Sequence, residues 1–253
     1  MKVILGGAMG RMGRAVVEAI MDTPHGIACG VDVAYQGESM PFPMVSSFED
    51  VQTEADVLID FSSPKGLEDM LCFLEKTKMP AVLCATGYSE AGIEKINGVS
   101  QKVAVLRSAN MSLGVHVLRA LVEQATKVLG DTYDVEIVEK HHRMKLDSPS
   151  GTALLLMEAV QEGRDYTPVF GRHGKSTQRK PTEIGVHAVR GGSVTGDHEV
   201  GFYGNGEQIL LTHRAENRSL FAQGALQAGA FLVGKEAGLY SMADVVKERL
   251  HLA

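Results

Sequence analysis

The sequence lacks the cysteine patterns that form disulfide frameworks or zinc sites. It contains three cysteines in 253 residues, all in apolar runs and without CxxC spacing, as expected of reduced thiols in a cytosolic protein. It also lacks any apolar run near the roughly 18 residues that a membrane-spanning helix requires. We therefore expect no transmembrane segment. Because the chain begins directly with a strand-like segment, we also expect no targeting signal and a cytoplasmic location.

An excess of positive charge is also absent. Lys and Arg number 25 against 31 Asp and Glu, for a net charge of −6, which argues against nonspecific nucleic-acid binding. Hydrophobic residues make up 44% of the chain and charged residues 22%, the balance of an ordinary globular protein. A chain of this length can bury a sizeable core in one or two domains.

The first 32 residues form a dinucleotide-binding pattern. An apolar strand precedes Gly-Ala-Met-Gly-Arg-Met-Gly at 7–13, and an amphipathic helix then leads to a second strand that ends at Asp32. Asp32 lies 19 residues after Gly13, close to the roughly 20 expected between a glycine turn and a ribose-binding acid. The glycines follow GxxGxxG rather than GxGxxG, and alone they would also suit an ordinary helix entry. The strand before them and the acid after them favour a dinucleotide site.

Strands and helices continue to alternate to about residue 114, with apolar runs at 56–61, 81–84 and 103–106. This alternation predicts an α/β domain with a Rossmann-type, doubly wound parallel sheet. Ligands of such sheets lie across the carboxyl ends of the strands. The residues expected at that edge are 7–13, Asp32, 61–63, 84–86 and 108–111.

The pattern changes after residue 114. A long amphipathic helix at 115–129 and a strand at 135–139 precede a helix at 152–162, and residues 183–214 alternate with period two between glycine turns. These features predict an α+β domain with a mixed or antiparallel sheet.

The remaining segments complete the expected organisation. Residues 163–181 are rich in Gly, Arg, Lys and Pro and predict an exposed loop, and a last long helix should begin at Asn217 or Ser219. We expect two domains: a dinucleotide-binding domain of 1–114 completed by 222–253, and a substrate-binding and oligomerisation domain of 115–221.

The segment 139–152, Glu-Lys-His-His-Arg-Met-Lys-Leu-Asp-Ser-Pro-Ser-Gly-Thr, concentrates reactive groups. An imidazole of His141 or His142 can carry a proton near neutral pH, and Lys145 can hold an anionic substrate. The Gly-Thr at its end opens a helix, whose first N–H groups can bind a carboxylate or a phosphate. One short segment thus offers a proton-transfer group, a cation and an anion site.

Less specific interpretations of this segment stay open on local grounds. The two histidines could be a solvated pair, the lysine could face solvent, and Ser-Pro-Ser-Gly-Thr could be only a helix cap. Adjacent residues of a strand point to opposite faces, and no nearby acids or cysteines complete a ligand set, so we predict no metal site. The coincidence of these groups in a chain with a dinucleotide unit favours the functional interpretation.

With these motifs the sequence resembles the dihydrodipicolinate reductase family, also called 4-hydroxy-tetrahydrodipicolinate reductases, over nearly the whole chain. The resemblance implies a Rossmann domain, an α+β domain whose sheet assembles a homotetramer, and NAD(P)H-dependent reduction of dihydrodipicolinate to tetrahydrodipicolinate in the diaminopimelate route to lysine. It rests on Gly-Ala-Met-Gly-Arg-Met-Gly (7–13), Ile-Asp-Phe-Ser-Ser-Pro (59–64), Ala-Thr-Gly-Tyr (85–88), Ser-Ala-Asn-Met-Ser-Leu-Gly (108–114) and, above all, Glu-Lys-His-His-Arg-Met-Lys-Leu-Asp-Ser-Pro-Ser-Gly-Thr-Ala (139–153).

The resemblance also implies roles for individual residues. His141 would be the proton donor or acceptor, and Lys145 the second catalytic residue. His142 and the backbone of Gly151 and Thr152 would bind a carboxylate of the cyclic dicarboxylate substrate. The dinucleotide would be bound by Gly7, Ala8, Met9, Gly10, Arg11, Met12, Gly13, Asp32, Cys84, Ala85, Thr86, Ser108, Ala109, Asn110 and Met111.

The sequence departs from the family pattern in three places. Cys84-Ala85-Thr86-Gly87 stands where Gly-Thr-Thr-Gly is common, and Met111 where phenylalanine is common. Many members carry a basic residue directly after the acid of the second strand, whereas Asp32 is followed by Val33 and Ala34. An acid without that basic neighbour suits the ribose hydroxyls of NADH, so we expect NADH to be used at least as well as NADPH.

Two other functions remain as alternatives. A different Rossmann reductase of an amino-acid intermediate would share the first 114 residues, but it would not need the segment 139–153. A non-catalytic dinucleotide-binding regulator would bind NAD(H) and turn nothing over. The intact set of His141, Lys145, Gly151 and Thr152 argues against such a regulator.

Overall fold

A computed structural model describes residues 1–162, 165–175 and 178–250. The chain divides into two compact units. The first unit combines Met1–Leu113 with the C-terminal segment that starts at Arg218, and the second unit is Gly114–Asn217. Among the described residues, no helix is long and apolar enough to cross a membrane.

The strands and helices are numbered here along the chain. The strands are β1 (Lys2–Gly6), β2 (Gly26–Val31), β3 (Met44–Val45), β4 (Val57–Asp60), β5 (Ala81–Leu83), β6 (Ala104–Arg107), β7 (Asp134–His141), β8 (Thr167–Phe170), β9 (Glu183–Arg190), β10 (Gly196–Tyr203), β11 (Gln208–Ala215) and β12 (Gly238–Tyr240). The helices are α1 (Arg11–Ile20), α2 (Leu67–Thr77), α3 (Glu90–Ser100), α4 (Leu113–Leu129), α5 (Gly151–Gln161), α6 (Ser219–Leu232) and α7 (Met242–Leu250).

The first unit contains a seven-stranded sheet in the order β12-β6-β5-β4-β1-β2-β3. All of its strand pairs are parallel. The order runs outward in both directions from β1 and β4, as in a doubly wound sheet. The predicted Rossmann-type sheet is confirmed.

Helices cover both faces of this sheet, which explains the continuous apolar strands. In β1, Val3 and Leu5 pack in the core that includes residues of α1 and α6, whereas Ile4 packs in the core that includes α2 and α3. Strands buried on both faces need apolar residues at every position rather than an alternating pattern. This burial holds the strand ends, and therefore the loops that follow them, in fixed places.

The second unit contains a five-stranded mixed sheet in the order β11-β10-β7-β9-β8. β7 pairs antiparallel with β10 and parallel with β9. One face packs against α4 and α5, with Val135 and Ile137 of β7 in the shared core. The predicted mixed sheet is confirmed, and it places β7 at its centre.

Several expected boundaries were wrong. The expected loop at 163–181 contains the strand β8, and residues 163, 164, 176 and 177 of that segment lie outside the described residues. The strand expected at 135–139 continues to His141. The helix at Ser219 was correctly expected, but it is followed by β12 and α7. β8 and β12 are edge strands of three or four residues, too short to carry a periodic signal.

An added methyl group should have opposite effects on stability at two helical glycines of the first unit. A Cβ on Gly224 of α6 would lie 1.7 Å from the backbone oxygen of Met111, whereas a Cβ on Gly98 of α3 would meet nothing within 4 Å. We expect Gly224→Ala to lower the free energy of unfolding by about 1–3 kcal/mol, as overpacking does. We expect Gly98→Ala to raise it by about 0.5–1 kcal/mol. Denaturant unfolding of both variants measures the difference, and equal stabilities would contradict the close approach at Gly224.

Candidate active site

The glycine turn after β1 brings backbone close to backbone. Gly7 has a φ of +71°, and its N–H donates to the carbonyl oxygen of Val31 at 2.8 Å. A Cβ on Gly13 would lie 2.2 Å from the carbonyl oxygen of Gly7, so the start of α1 can pack on the turn only with glycine there. The turn and helix entry predicted at 7–13 are present.

The N-terminus of α1 suits an anionic group. Gly10 is the N-cap residue, and no side chain in the described part of the chain caps the helix there. By contrast, Ser89 caps α3 and Ser150 caps α5. The uncapped N–H groups and the positive end of the helix dipole are the features that bind a pyrophosphate.

Asp32 lies next to this turn. Its carboxylate accepts the N–H of Met9 at 2.9 Å and the N–H of Ala34 at 3.0 Å. Each carboxylate oxygen has more than one lone pair, so these two bonds leave capacity for a ligand hydroxyl. Val33 is 90% exposed, so it places no charge and no packed side chain beside the carboxylate.

The loops after β5 and β6 turn some of their side chains into the protein. Cys84 is buried, and burial together with the nearby Asp60 raises the pKa of its thiol. Met111 is 2% exposed. In the second loop the hydroxyl of Ser108 donates to the carbonyl oxygen of Asn110 at 2.7 Å. The side chains of Cys84 and Met111 are therefore packed inside the first unit.

In the second unit, Glu139 and His141 lie on the same face of β7, because side chains two residues apart on a strand point the same way. Glu139 is 0% exposed and His141 is 8% exposed. The Nδ1 of His141 lies 2.6 Å from Oε2 of Glu139. A carboxylate at this position favours the proton on Nδ1 and leaves the lone pair on Nε2.

Arg190 holds the same carboxylate from the neighbouring strand. Its two terminal nitrogens each donate to one oxygen of Glu139 at 2.8 Å. The backbone N–H of Ser150 also donates to Oε1 of Glu139 at 3.0 Å. Arg190 in addition donates to the carbonyl oxygen of Asp147 at 2.6 Å. One buried carboxylate thereby joins β7, β9 and the loop before α5.

These hydrogen bonds keep Glu139 ionised. Burial alone would raise its pKa, but the bonds from Arg190 and His141, with the N–H of Ser150, outweigh burial and lower the pKa below the usual range. A bidentate guanidinium–carboxylate pair is among the strongest charge-assisted contacts. The imidazole of His141 is therefore held against a permanent negative charge.

Two residues of β10 complete the surroundings of His141. A Cβ on Gly196 would lie 3.0 Å from the Nε2 of His141, so glycine leaves room for the imidazole. The ring of His198 meets the ring of His141 edge to face, with centroids 5.1 Å apart.

The other predicted residues of this site lie on the loop and helix that follow β7. The Nζ of Lys145 pairs with Oδ1 of Asp147 at 2.9 Å, and this contact lowers the pKa of Asp147. His142 is partly buried directly after the strand, and Gly151 and Thr152 open α5. The described residues contain no group of three or more His, Cys, Asp or Glu side chains placed to hold a metal ion.

Sequence reasoning considered the serines before α5 only as a possible helix cap, which Ser150 is, and it gave no role to Glu139, Arg190 and His198. Of these three, Glu139 has the nearest signal. The first could have been found, since period two on a strand places residue 139 on the face of residue 141. The last two are 49 and 57 residues from His141. They reach it only because β9 pairs Arg190 with His141 and β10 pairs His198 with Glu139.

Comparisons with known proteins agree over almost the whole chain. The family model described as dihydrodipicolinate reductase, N-terminus, matches residues 1–111, and that for the C-terminus matches residues 114–246. A 4-hydroxy-tetrahydrodipicolinate reductase of Caldanaerobacter subterraneus subsp. tengcongensis is 44% identical over 252 residues, covering 98% of both chains. One from Clostridium novyi is 41% identical over 251 residues, covering 98% of this chain and 99% of that protein.

Solved structures share the fold. A dipicolinate-bound dihydrodipicolinate reductase from Paenisporosarcina sp. TG-14 matches with a TM-score of 0.80 and 21% identity, over 95% of this chain and 97% of that one. A probable dehydrogenase from Thermotoga maritima matches with a TM-score of 0.64 and 12% identity, over 97% and 92%. At these identities the likeness extends to the fold alone.

The buried carboxylate leads to a prediction about stability and pH. Glu139→Gln would set an amide against Arg190 and leave that cation uncompensated, which costs on the order of 3–5 kcal/mol. Because the pKa of Glu139 is lowered in the folded state, the ionised carboxylate contributes its full stabilisation of the fold above the pKa of an unfolded glutamate, about 4.3. This contribution is lost as the pH falls through the folded-state pKa.

We therefore expect the loss of unfolding free energy in Glu139→Gln to be large at neutral pH and to shrink in acid. Urea unfolding of both proteins from neutral pH into the acid range measures this. Glu158→Gln, an exposed change on α5, is the control and should alter little at any pH. A loss that is independent of pH would contradict the assigned ionisation of Glu139.

Proposed function

Because this chain belongs to the dihydrodipicolinate reductase family, we propose that it catalyses the nicotinamide-dinucleotide-dependent reduction of 4-hydroxy-tetrahydrodipicolinate in the diaminopimelate route to lysine. The observation that carries the assignment is the match of both family models over almost the whole chain. The buried Glu139–His141–Arg190 cluster supports it, because an imidazole held against a buried carboxylate is an arrangement suited to proton transfer.

The first unit would hold the dinucleotide. When bound, the reduced nicotinamide would supply a hydride to a ring carbon that is conjugated with the imine once the 4-hydroxyl group of the substrate has left as water. We propose that the pyrophosphate binds the uncapped N-terminus of α1 at 7–13, that Asp32 accepts hydroxyls of the adenosine ribose, and that the backbone at 84–86 and 108–111 contacts the remainder. The close-packed glycines and the uncapped helix support these assignments.

The second unit would supply the proton and the substrate contacts. His141, with its Nδ1 held by Glu139, presents Nε2 as the donor or acceptor to the ring nitrogen side, where negative charge develops. Lys145 is the proposed second catalytic residue, because an ammonium can stabilise that charge or relay the proton. His142 and the N–H groups of Gly151 and Thr152 would bind a substrate carboxylate and orient the ring.

The homotetramer and the cytoplasmic location implied by the family stay predictions. The molar mass in solution decides the number of chains.

Activity can be tested directly. Purified protein with NADH and freshly made aspartate-semialdehyde condensation product should consume the cofactor, whereas a regulator or a reductase of another substrate should not.

We expect His141→Ala to lower kcat on the order of a hundredfold, the usual yield of general acid catalysis. NADH affinity should remain, because the proposed dinucleotide contacts belong to the first unit. His173→Ala changes an exposed histidine of the second unit and is the control. A near-normal kcat in His141→Ala would remove this residue from proton transfer.

Cofactor preference follows from the surroundings of Asp32. We propose that NADH is preferred or used equally, because a carboxylate about 4 Å from a phosphate charge is opposed by roughly 1 kcal/mol in water and about 4 kcal/mol at an effective dielectric of 20. Val33 is exposed and uncharged, so it cannot offset this repulsion. Arg11, exposed at the first position of α1, would weaken it only in part.

The measurement is kcat/KM for both cofactors at one ionic strength, in the wild type and in Val33→Arg. The ratio for NADH over NADPH should be at least one and should fall in the variant. Val33→Gln, which is long but uncharged, controls for size. A wild-type ratio well below one would contradict the proposal and would make Arg11 the phosphate anchor.

A further inference from the structure

His198 is a buried histidine beside the proposed proton-transfer group. It lies on β10 directly opposite Glu139 in the antiparallel register with β7, and it is 4% exposed. Burial, and then the neighbouring His141, lower the pKa of His198 to about 4. At neutral pH His198 is therefore uncharged.

A single serine connects His198 to the start of α5. The Nε2 of His198 lies 2.9 Å from the Oγ of Ser150. The same Oγ accepts the N–H of Ala153 at 3.1 Å, which makes Ser150 the N-cap residue of α5. The backbone N–H of Ser150 donates to Glu139. The serine is thus held by an imidazole on one side and by the buried carboxylate on the other.

His198 also contacts His141 itself. The two rings meet edge to face, with an interplanar angle of 73°, a favourable arrangement for aromatic pairs. The Nδ1 of His198 is buried without a hydrogen-bond partner among the described residues. A buried polar atom left unpaired is costly, so a ring whose only role was to fill this space would be better replaced by an apolar one.

We propose that His198 is a positioning residue for the reaction. Through Ser150 it fixes the first turn of α5, where Gly151 and Thr152 would bind a substrate carboxylate. Through its ring it fixes the plane of the His141 imidazole. The inference rests on the proposed function. It adds a residue that touches neither the substrate nor the cofactor in the proposed site. His198 thereby affects both the binding of the substrate carboxylate and the orientation of the proton-transfer imidazole.

Three variants separate the two contacts. His198→Phe keeps a ring against His141 and loses the hydrogen bond to Ser150, so the KM for substrate and the Kd for dipicolinate should rise roughly threefold to tenfold, the range of one hydrogen bond. In this variant kcat should stay within about threefold. His198→Leu loses both contacts, so kcat should fall further as well. His198→Gln places an amide near the former Nε2 position and should restore most of the dipicolinate affinity.

The controls distinguish positioning from a role in folding alone. His187→Gln changes a partly buried histidine of β9 that contacts Glu136, away from Ser150 and His141, and should leave KM, kcat and dipicolinate affinity unchanged. The Kd for NADH should not change in any variant. Wild-type dipicolinate affinity in His198→Phe would overturn the proposal, and so would an equal loss of NADH and dipicolinate binding.

A double-variant cycle tests the route through Ser150. If His198 acts through that serine, His198→Phe should add little to the loss of dipicolinate affinity caused by Ser150→Ala, and fully additive losses would overturn the route. Failure of the proposed function has a separate signature, because the wild type would then neither reduce the substrate nor bind dipicolinate. Normal wild-type binding with an unaffected His198→Phe would refute only the inference about His198.

Discussion

The second unit depends on one buried carboxylate. Glu139 is fully enclosed, and a carboxylate can stay ionised there only if hydrogen bonds replace the lost water. Arg190, His141 and the N–H of Ser150 supply them. Because these donors belong to β9, β7 and the entry to α5, one electrostatic requirement holds three segments together. The orientation of the proposed proton-transfer imidazole follows from the same requirement.

The first unit depends instead on the close approach of two backbone segments, the glycine turn and the start of α1. Gly7 and Gly13 let the turn and α1 pack against each other, and the helix N-terminus is left without a side-chain cap. Cys84 and Met111 bury their side chains. The departures from the common family pattern at these two positions are therefore changes of packed side chains.

The fold by itself does not define the reaction. Dehydrogenases of other names share the two-unit architecture at 12–15% identity, as expected where a dinucleotide-binding sheet is combined with different substrate sites. The family match and the cluster around Glu139 therefore carry the functional argument, and the sheet alone would not.

Sequence alone determined the features that local spacing encodes. The glycine turn with Asp32, the alternating strands and helices of the first unit, and the mixed sheet of the second unit follow from periodicity and turn residues, and the family follows from the motif at 139–153. Tertiary structure alone decided that Arg190 and His198 meet Glu139 and His141. Pairing of β9 and β10 with β7 creates those contacts, and the register of strands distant in sequence depends on the packing of the whole sheet rather than on any local pattern.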